Sequence, residues 1–233
     1  MIILAVDTTS KSGGVALAKD ETLLGELVFN TGETHSKHLM AMIDHLLQMT
    51  GITAKDINGL AVSAGPGSFT GLRIGISVVK GLAAALGIPV CGVSSLLTLA
   101  GQAAYASIPI CPMMDARRKE IYTSLYMPLA GTLTEMMPEK AESPKNALIR
   151  VMERHHGSVL FIGDGAVLYK DVIVSHMQDA ACFAPFELNL IRPGTIARIA
   201  FSHFESGDTE KGDLLKPVYI RSSDAKLPKN ILI

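Results

Sequence analysis

The run Gly65-Pro66-Gly67-Ser68-Phe69-Thr70-Gly71 holds the residue types and spacing most able to do chemistry. It leaves an aliphatic stretch, turns on Gly65, Pro66 and Gly67, and enters a helix for which Ser68 is the expected N-cap. Amide groups and the dipole at a helix start favour an anion, and glycines let a ligand approach the backbone. A phosphate cradle is therefore one reading. The segment is not a Walker A loop, because Leu72-Arg73 stand where lysine and a hydroxyl residue would follow the last glycine, nor is it GxGxxG. The competing reading is structural: a tight strand-to-helix connection whose Gly71, Gly75 and Ser77 let another element come close.

Asp7-Thr8-Thr9-Ser10, at the end of the first aliphatic strand, is a second candidate. An aspartate followed by hydroxyls can hold Mg²⁺ through water and orient phosphate, or cap its own turn. Gly163-Asp164-Gly165 ends a later strand and would face the same cleft. His35 and His38 lie i, i+3 at a helix start, but no third ligand is evident beside them. No G-x-S-x-G, HExxH or Cys/His arrangement appears, so spacing assigns no nucleophile and base.

Charge narrows the function classes. Lys and Arg number 21 against 22 Asp and Glu, a formal net charge of -1. That balance argues against a protein that binds nucleic acid chiefly by itself, since phosphate neutralisation supplies most such affinity. Lys211, Lys216, Arg221, Lys226 and Lys229 are interleaved with acids and read as a solvated face. Cys91, Cys111 and Cys182 show neither zinc spacing nor a disulfide framework, which fits a reducing compartment. The apolar stretch from Leu72 to Val90 contains Arg73, Lys80 and several glycines and makes a poor membrane span. Met1 leads directly into a strand pattern. A cytoplasmic protein without a membrane partner is expected.

The elements that must position these residues follow from periodicity. Three aliphatic runs, 2–6, 13–18 and 23–29, separated by polar turns, predict a strand meander. Over 35–50, Leu39, Ile43, Leu46 and Leu47 repeat at helical spacing. Met40, Met42 and Met49 widen the apolar arc, which suits either a deeply buried helix or one that also faces a partner. Strand 57–65, the glycine turn, a helix to about 86, strand 89–94 and a helix near 96–107 come next. The pattern then restarts: a strand ends at Asp115 as the first ends at Asp7, and runs 120–127 and 131–137, helix 144–156 and strand 159–165 echo the earlier order. Helices near 167–177 and 195–206 complete it. The expected fold is α/β, with related subdomains at 1–107 and 108–221, a cleft between them, and an extended tail at 222–233.

DTTS at 7–10, SAGPGSFTGLRIG at 63–75, GLAAALGIPVCGVSSL at 81–96, DARRKEIY at 115–122, GDGA at 163–166 and PVYIR at 217–221 together resemble the bacterial TsaB (YeaZ) family. The resemblance implies two duplicated ribonuclease-H-like subdomains of the actin-like/Hsp70-like ATPase (ASKHA) fold. It implies a non-catalytic partner of the related enzyme TsaD, which with the ATPase TsaE completes threonylcarbamoyladenosine next to the tRNA anticodon. TsaD would be met through the first two helices, with His38, Met42 and Leu46 on one and Leu72, Ile76 and Val79 on the other. A homodimer in isolation is a further option, and tRNA would be reached through the complex. No cofactor is required of this chain, although ATP and Mg²⁺ serve the complex. TsaD carries a His-x-x-x-His metal pair on the helix after the GV strand. Here Ser95 and Leu99 hold those places, and leucine cannot bind metal. The alternative is a free-standing ASKHA-type ATP-dependent enzyme or metallo-glycoprotease-like peptidase. Its nucleotide cleft would draw on Asp7, Thr8, Thr9, Gly65, Gly67, Ser68, Gly163, Asp164 and Gly165.

Overall fold

The structure, a computed structural model, describes residues 1–30 and 35–221. The tail expected at 222–233 lies outside the described residues. Strands β1 (Ile2–Asp7), β2 (Gly13–Lys19), β3 (Thr22–Phe29), β4 (Gly59–Gly65) and β5 (Val90–Ser94) form one sheet in the order β3-β2-β1-β4-β5. Strands β6 (Ile110–Arg117), β7 (Glu120–Leu129), β8 (Thr132–Glu142), β9 (Val159–Ile162) and β10 (Ala181–Phe183) form the second, in the order β10-β9-β6-β7-β8. Renumbered within its half, each sheet has one order. In each, the first three strands are antiparallel and the last two run parallel to the first. The restart at Asp115 is thus a repeat of topology, as expected for duplicated ASKHA subdomains. The strand β10 escaped sequence reading because three residues carry no alternation to recognise.

Both faces of the first sheet are covered, which is why its central strand reads as an unbroken aliphatic run. Along β1, Leu4 and Val6 point to helices α1 (His35–Thr50) and α2 (Phe69–Leu86), whereas Ile3 and Ala5 point to the layer shared by the two sheets. That central layer holds α3 (Ser95–Gly101) and the last helix, α7 (Pro193–Ser206). On the outer face of the second sheet lie α4 (Pro144–Arg154) and α6 (Lys170–Met177); the short α5 (Asp164–Leu168) follows β9.

The two halves exchange helices across the centre. From the first half, α3 packs on β6, β7 and β8 as well as on β4 and β5. From the second, α7 packs on β1, β2, β4 and β5. The chain after α7 continues along the first sheet: Val90 and Glu210 exchange amide-to-carbonyl bonds of 2.9 and 3.0 Å, which covers the β5 edge. Leu215, 1% exposed, joins the core under α1 and α2. By packing, α7 and residues up to Val218 therefore belong with the first sheet, although sequence order placed them within 108–221.

Matching carboxylates hold the exchanged helices. Glu26 on β3 accepts from Arg192 Nε (2.8 Å) and from the Gly194 amide (2.8 Å) at the start of α7. Glu139 on β8 accepts from the hydroxyl of Ser94, the N-cap of α3, and from Tyr126 Oη at 3.2 Å. The equivalent edge strand of each sheet thus grips the helix start donated by the other half.

Candidate functional site

At the end of β1, Asp7 Oδ1 accepts from the Thr9 amide (3.3 Å) and hydroxyl (2.7 Å), capping the turn. That turn lies directly against the start of α2. The Thr8 hydroxyl donates to the Gly71 carbonyl at 2.7 Å, and the Ser68 amide donates to the Thr9 carbonyl at 2.7 Å. Only glycine permits this approach. A Cβ on Gly71 would stand 1.9 Å from the Thr8 carbonyl oxygen, one on Gly75 2.5 Å from the Thr8 hydroxyl, and one on Gly67 2.6 Å from the Thr9 carbonyl. Gly65 has φ +128°, and a Cβ there would meet the Val218 carbonyl oxygen at 2.4 Å. The PVYIR segment is the clamp on the other side. The Val218 amide donates to Ala64 (2.7 Å), Tyr219 packs on Phe69 at 5.2 Å between centroids, and Arg73 Nε donates to Tyr219 Oη at 3.3 Å.

Asp7, Thr8, Thr9, Gly65, Gly67 and Ser68 are therefore brought together, but against one another. Ser68 caps α2 as expected, accepting from the Gly71 amide at 3.3 Å. Two amides that an anion would need are thus already donated within the chain. The space beside the glycines is filled by the backbone at Thr8, Thr9 and Val218, so this turn does not fit a nucleotide phosphate.

The second half has its own close approach. A Cβ on Gly163 or Gly165 would strike the Met113 carbonyl oxygen at 2.4 or 2.9 Å. Between them, Asp164 Oδ1 accepts from the Asp115 amide at 3.0 Å. Burial pushes its carboxyl above the ordinary range, and the Asp115 amide partly opposes that rise.

A cavity of about 570 Å³ separates the halves. Of the cleft residues expected from sequence, Asp164 lines it. Ser10, Lys11 and Ser12 face it from the β1–β2 loop, and Asp115 and Arg117 from the end of β6. Leu99, Met114 and Ile191 supply an apolar wall. Sequence reasoning passed over Lys11 and Arg117, although each stands within four residues of an aspartate it had singled out.

Most of the residues expected at a partner interface point inward. Met42, Leu46, Ile76 and Val79 belong to the core between α1, α2 and the first sheet, and Leu72 is 1% exposed. Helical spacing identified the apolar stripe, but the sheet takes it. His38 is exposed and borders a groove of about 480 Å³ between α1 and the β2–β3 ribbon. The side chain of His35, its companion in the metal reading, lies outside the described residues. The outward faces consist of other residues: Met40 and Met49 on α1, 51% and 74% exposed, and Ser77, Gly81, Ala84 and Ala85 on α2, flanked by the half-buried Ile74, Val78 and Leu82. By length and composition α2 could cross a membrane, yet its inner face packs on β4 and the sheet core.

Ser95 and Leu99 are buried in α3, at 0% and 1% exposure. Among the described residues, no three His, Cys, Asp or Glu side chains gather as a metal site.

Comparison with known proteins identifies the relatives of this chain. The family model described as TsaD, tRNA N6-adenosine threonylcarbamoyltransferase, matches residues 29–228. The tRNA threonylcarbamoyladenosine biosynthesis protein TsaB of Bacillus subtilis is 32% identical over 97% of this chain and 96% of its own. That of Escherichia coli is 30% identical over 98% and 99%. The solved YeaZ of Pseudomonas aeruginosa superposes with a TM-score of 0.77 at 25% identity, over 94% of this chain and 99% of its own. Component A of the Acidaminococcus fermentans (R)-2-hydroxyglutaryl-CoA dehydratase, at 10% identity and a TM-score of 0.53 over 89% and 99%, shares the fold alone. The chain belongs to the TsaB (YeaZ) family, within the wider group that the TsaD model describes.

Proposed function

We propose that this chain is a non-catalytic subunit that binds a TsaD-like enzyme and supports threonylcarbamoyl transfer to the tRNA adenosine beside the anticodon. It takes part in threonylcarbamoyladenosine synthesis in the cytoplasm, with a TsaE-like ATPase supplying ATP and Mg²⁺ chemistry to the assembly. The observation that carries the partner reading is the outward surface of α1 and α2. Met40 and Met49 stand exposed on opposite flanks of α1, and Ser77, Gly81, Ala84 and Ala85 leave α2 with a shallow face, bordered by Arg73, that another helix can approach closely. Ser95 and Leu99 support the non-catalytic part of the reading, because neither offers the imidazole that the TsaD pattern requires. In isolation the same face would serve a homodimer.

The test separates this surface from the core. Ser77→Arg and Met49→Lys place charge on exposed positions and should leave circular dichroism and melting unchanged. Each should abolish capture of the TsaD-like subunit and halt transfer in a system reconstituted with both partner proteins, the threonylcarbamoyl adenylate, ATP and tRNA. Full capture by both folded variants would refute the assignment of the face. Undiminished transfer with this chain omitted would refute its role.

A further inference from the structure

The groove of about 480 Å³ between α1 and the β2–β3 ribbon has mainly apolar walls. From α1 it is lined by His38, Met42 and His45, at the i, i+4, i+7 spacing of a single helix stripe, with Ala41 beside them. From the first to the last of these the stripe runs about 10 Å, at 1.5 Å per residue. Ala41, the smallest side chain on it, leaves room there. Leu27 and Phe29 of β3 supply the facing wall, and Phe29 is left 52% exposed. A concavity of a few hundred Å³ with apolar walls and few polar groups is the form small-molecule sites take.

Charge selects among the occupants such a groove could take. Its ionisable lining residues are Lys11, His38 and His45, all basic, and among the described residues no carboxylate lines it. The cavity between the halves differs, because Asp115 and Asp164 stand there beside its cations. Lys11 and His45 are exposed, whereas Met42 is buried and joins the core. The groove therefore offers an apolar wall and an ammonium group to the same molecule. A cation would be repelled by Lys11, and a small hydrophilic anion would leave the apolar wall wet. An anionic head on a short apolar chain uses both.

We propose that this groove binds a medium-chain carboxylic acid, with the chain against Ala41, Met42 and Phe29 and the carboxylate at Lys11. Among the described residues none from α2 lines the groove, and the inference goes beyond the partner reading without resting on it.

The probe is octanoate, with octan-1-ol as its uncharged control, and the protein is the full chain. Isothermal titration calorimetry should show saturable one-to-one binding of octanoate and weaker binding of octan-1-ol. Ala41→Phe fills the groove from an exposed helix position and should abolish binding with circular dichroism unchanged. Phe29→Ser strips the facing wall and should weaken binding, which keeps the test decisive should Ala41→Phe fail to fold. Lys11→Gln should weaken octanoate by about fivefold and leave octan-1-ol unaffected. Lys11 also lines the cavity between the halves, so Leu168→Ser, at an exposed position in that cavity, is the control and should bind octanoate as wild type does. No octanoate binding by the wild type, full binding by the folded groove variants, or lost binding in Leu168→Ser would each overturn the proposal. Octan-1-ol binding as tightly as octanoate would overturn it too. If the wild type ignores octanoate while Ala41→Phe loses capture of the TsaD-like subunit, the groove is a protein contact instead.

Discussion

Gly71→Ala is the most demanding test of how the glycine turn is built. The new Cβ would stand 1.9 Å from the Thr8 carbonyl oxygen, and that neighbour is backbone rather than the end of a flexible side chain. The β1–β2 loop must therefore move away from α2. Overpacking of a tight site costs about 1–3 kcal/mol. Displacement also breaks the Thr8 hydroxyl bond to Gly71 and the Ser68 amide bond to Thr9, worth about 1 kcal/mol each. Alanine returns about 1 kcal/mol of helix propensity. The net expectation is a loss of about 2–4 kcal/mol, or roughly 5–15 °C in Tm for a chain of this size. Gly81→Ala is the control on the same helix: nothing lies within 4 Å of its Cβ, so it should gain about 0.5–1 kcal/mol. Urea denaturation with thermal melting reads both. A Gly71→Ala protein as stable as wild type would refute the claim that this turn exists to admit the β1–β2 loop.

Removing the carboxylate in Glu26→Ala should cost about 2–3 kcal/mol, because Glu26 is buried while Arg192 keeps contact with water. Hydrogen exchange should quicken in α7, and unchanged protection there would count against the grip. Burial raises the Glu139 carboxyl above its ordinary 4.5, so folding favours its protonated form. Its stability contribution is full below 4.5 and is lost as pH rises through the raised value; wild type should therefore gain on Glu139→Gln as pH falls toward 4.5. A difference that stays flat would refute this. Burial lifts the Cys91 and Cys111 thiols to about 11 and about 12. At pH 8 about one Cys91 in a thousand is thiolate, so neither should be alkylated in the native protein; rapid labelling of either would contradict the packing.

Some site residues were legible in the sequence and some were not, for definable reasons. The cap at Ser68 and the coupling of Asp7 to Thr9 depend on neighbours a few residues away, so residue type alone announced them. The inward turn of Met42, Leu46, Leu72, Ile76 and Val79 was not settled by sequence, because periodicity finds an apolar stripe without saying which surface it meets. Lys11 went unnoticed because a lone cation has no signature until a cavity wall stands opposite it, and Arg117, though inside the DARRKEIY motif, gained a place in the cleft only through that same wall.

The sequence by itself determined the order of the elements other than the short β10, the repeat after residue 107 and the family, since aliphatic runs, turn residues and an ordered set of motifs are local properties. The tertiary structure decided what the glycine turn is for. A glycine run permits a close approach but does not say by what. Here Thr8, Thr9 and Val218 fill it, one from each end of the chain's path around α2. The exchange of α3 and α7, and the grips of Glu139 and Glu26 on them, were likewise settled only by folding, because those partners lie 45 and 166 residues apart. Contacts at that separation arise from the stacking of two sheets and leave no periodic trace along the chain.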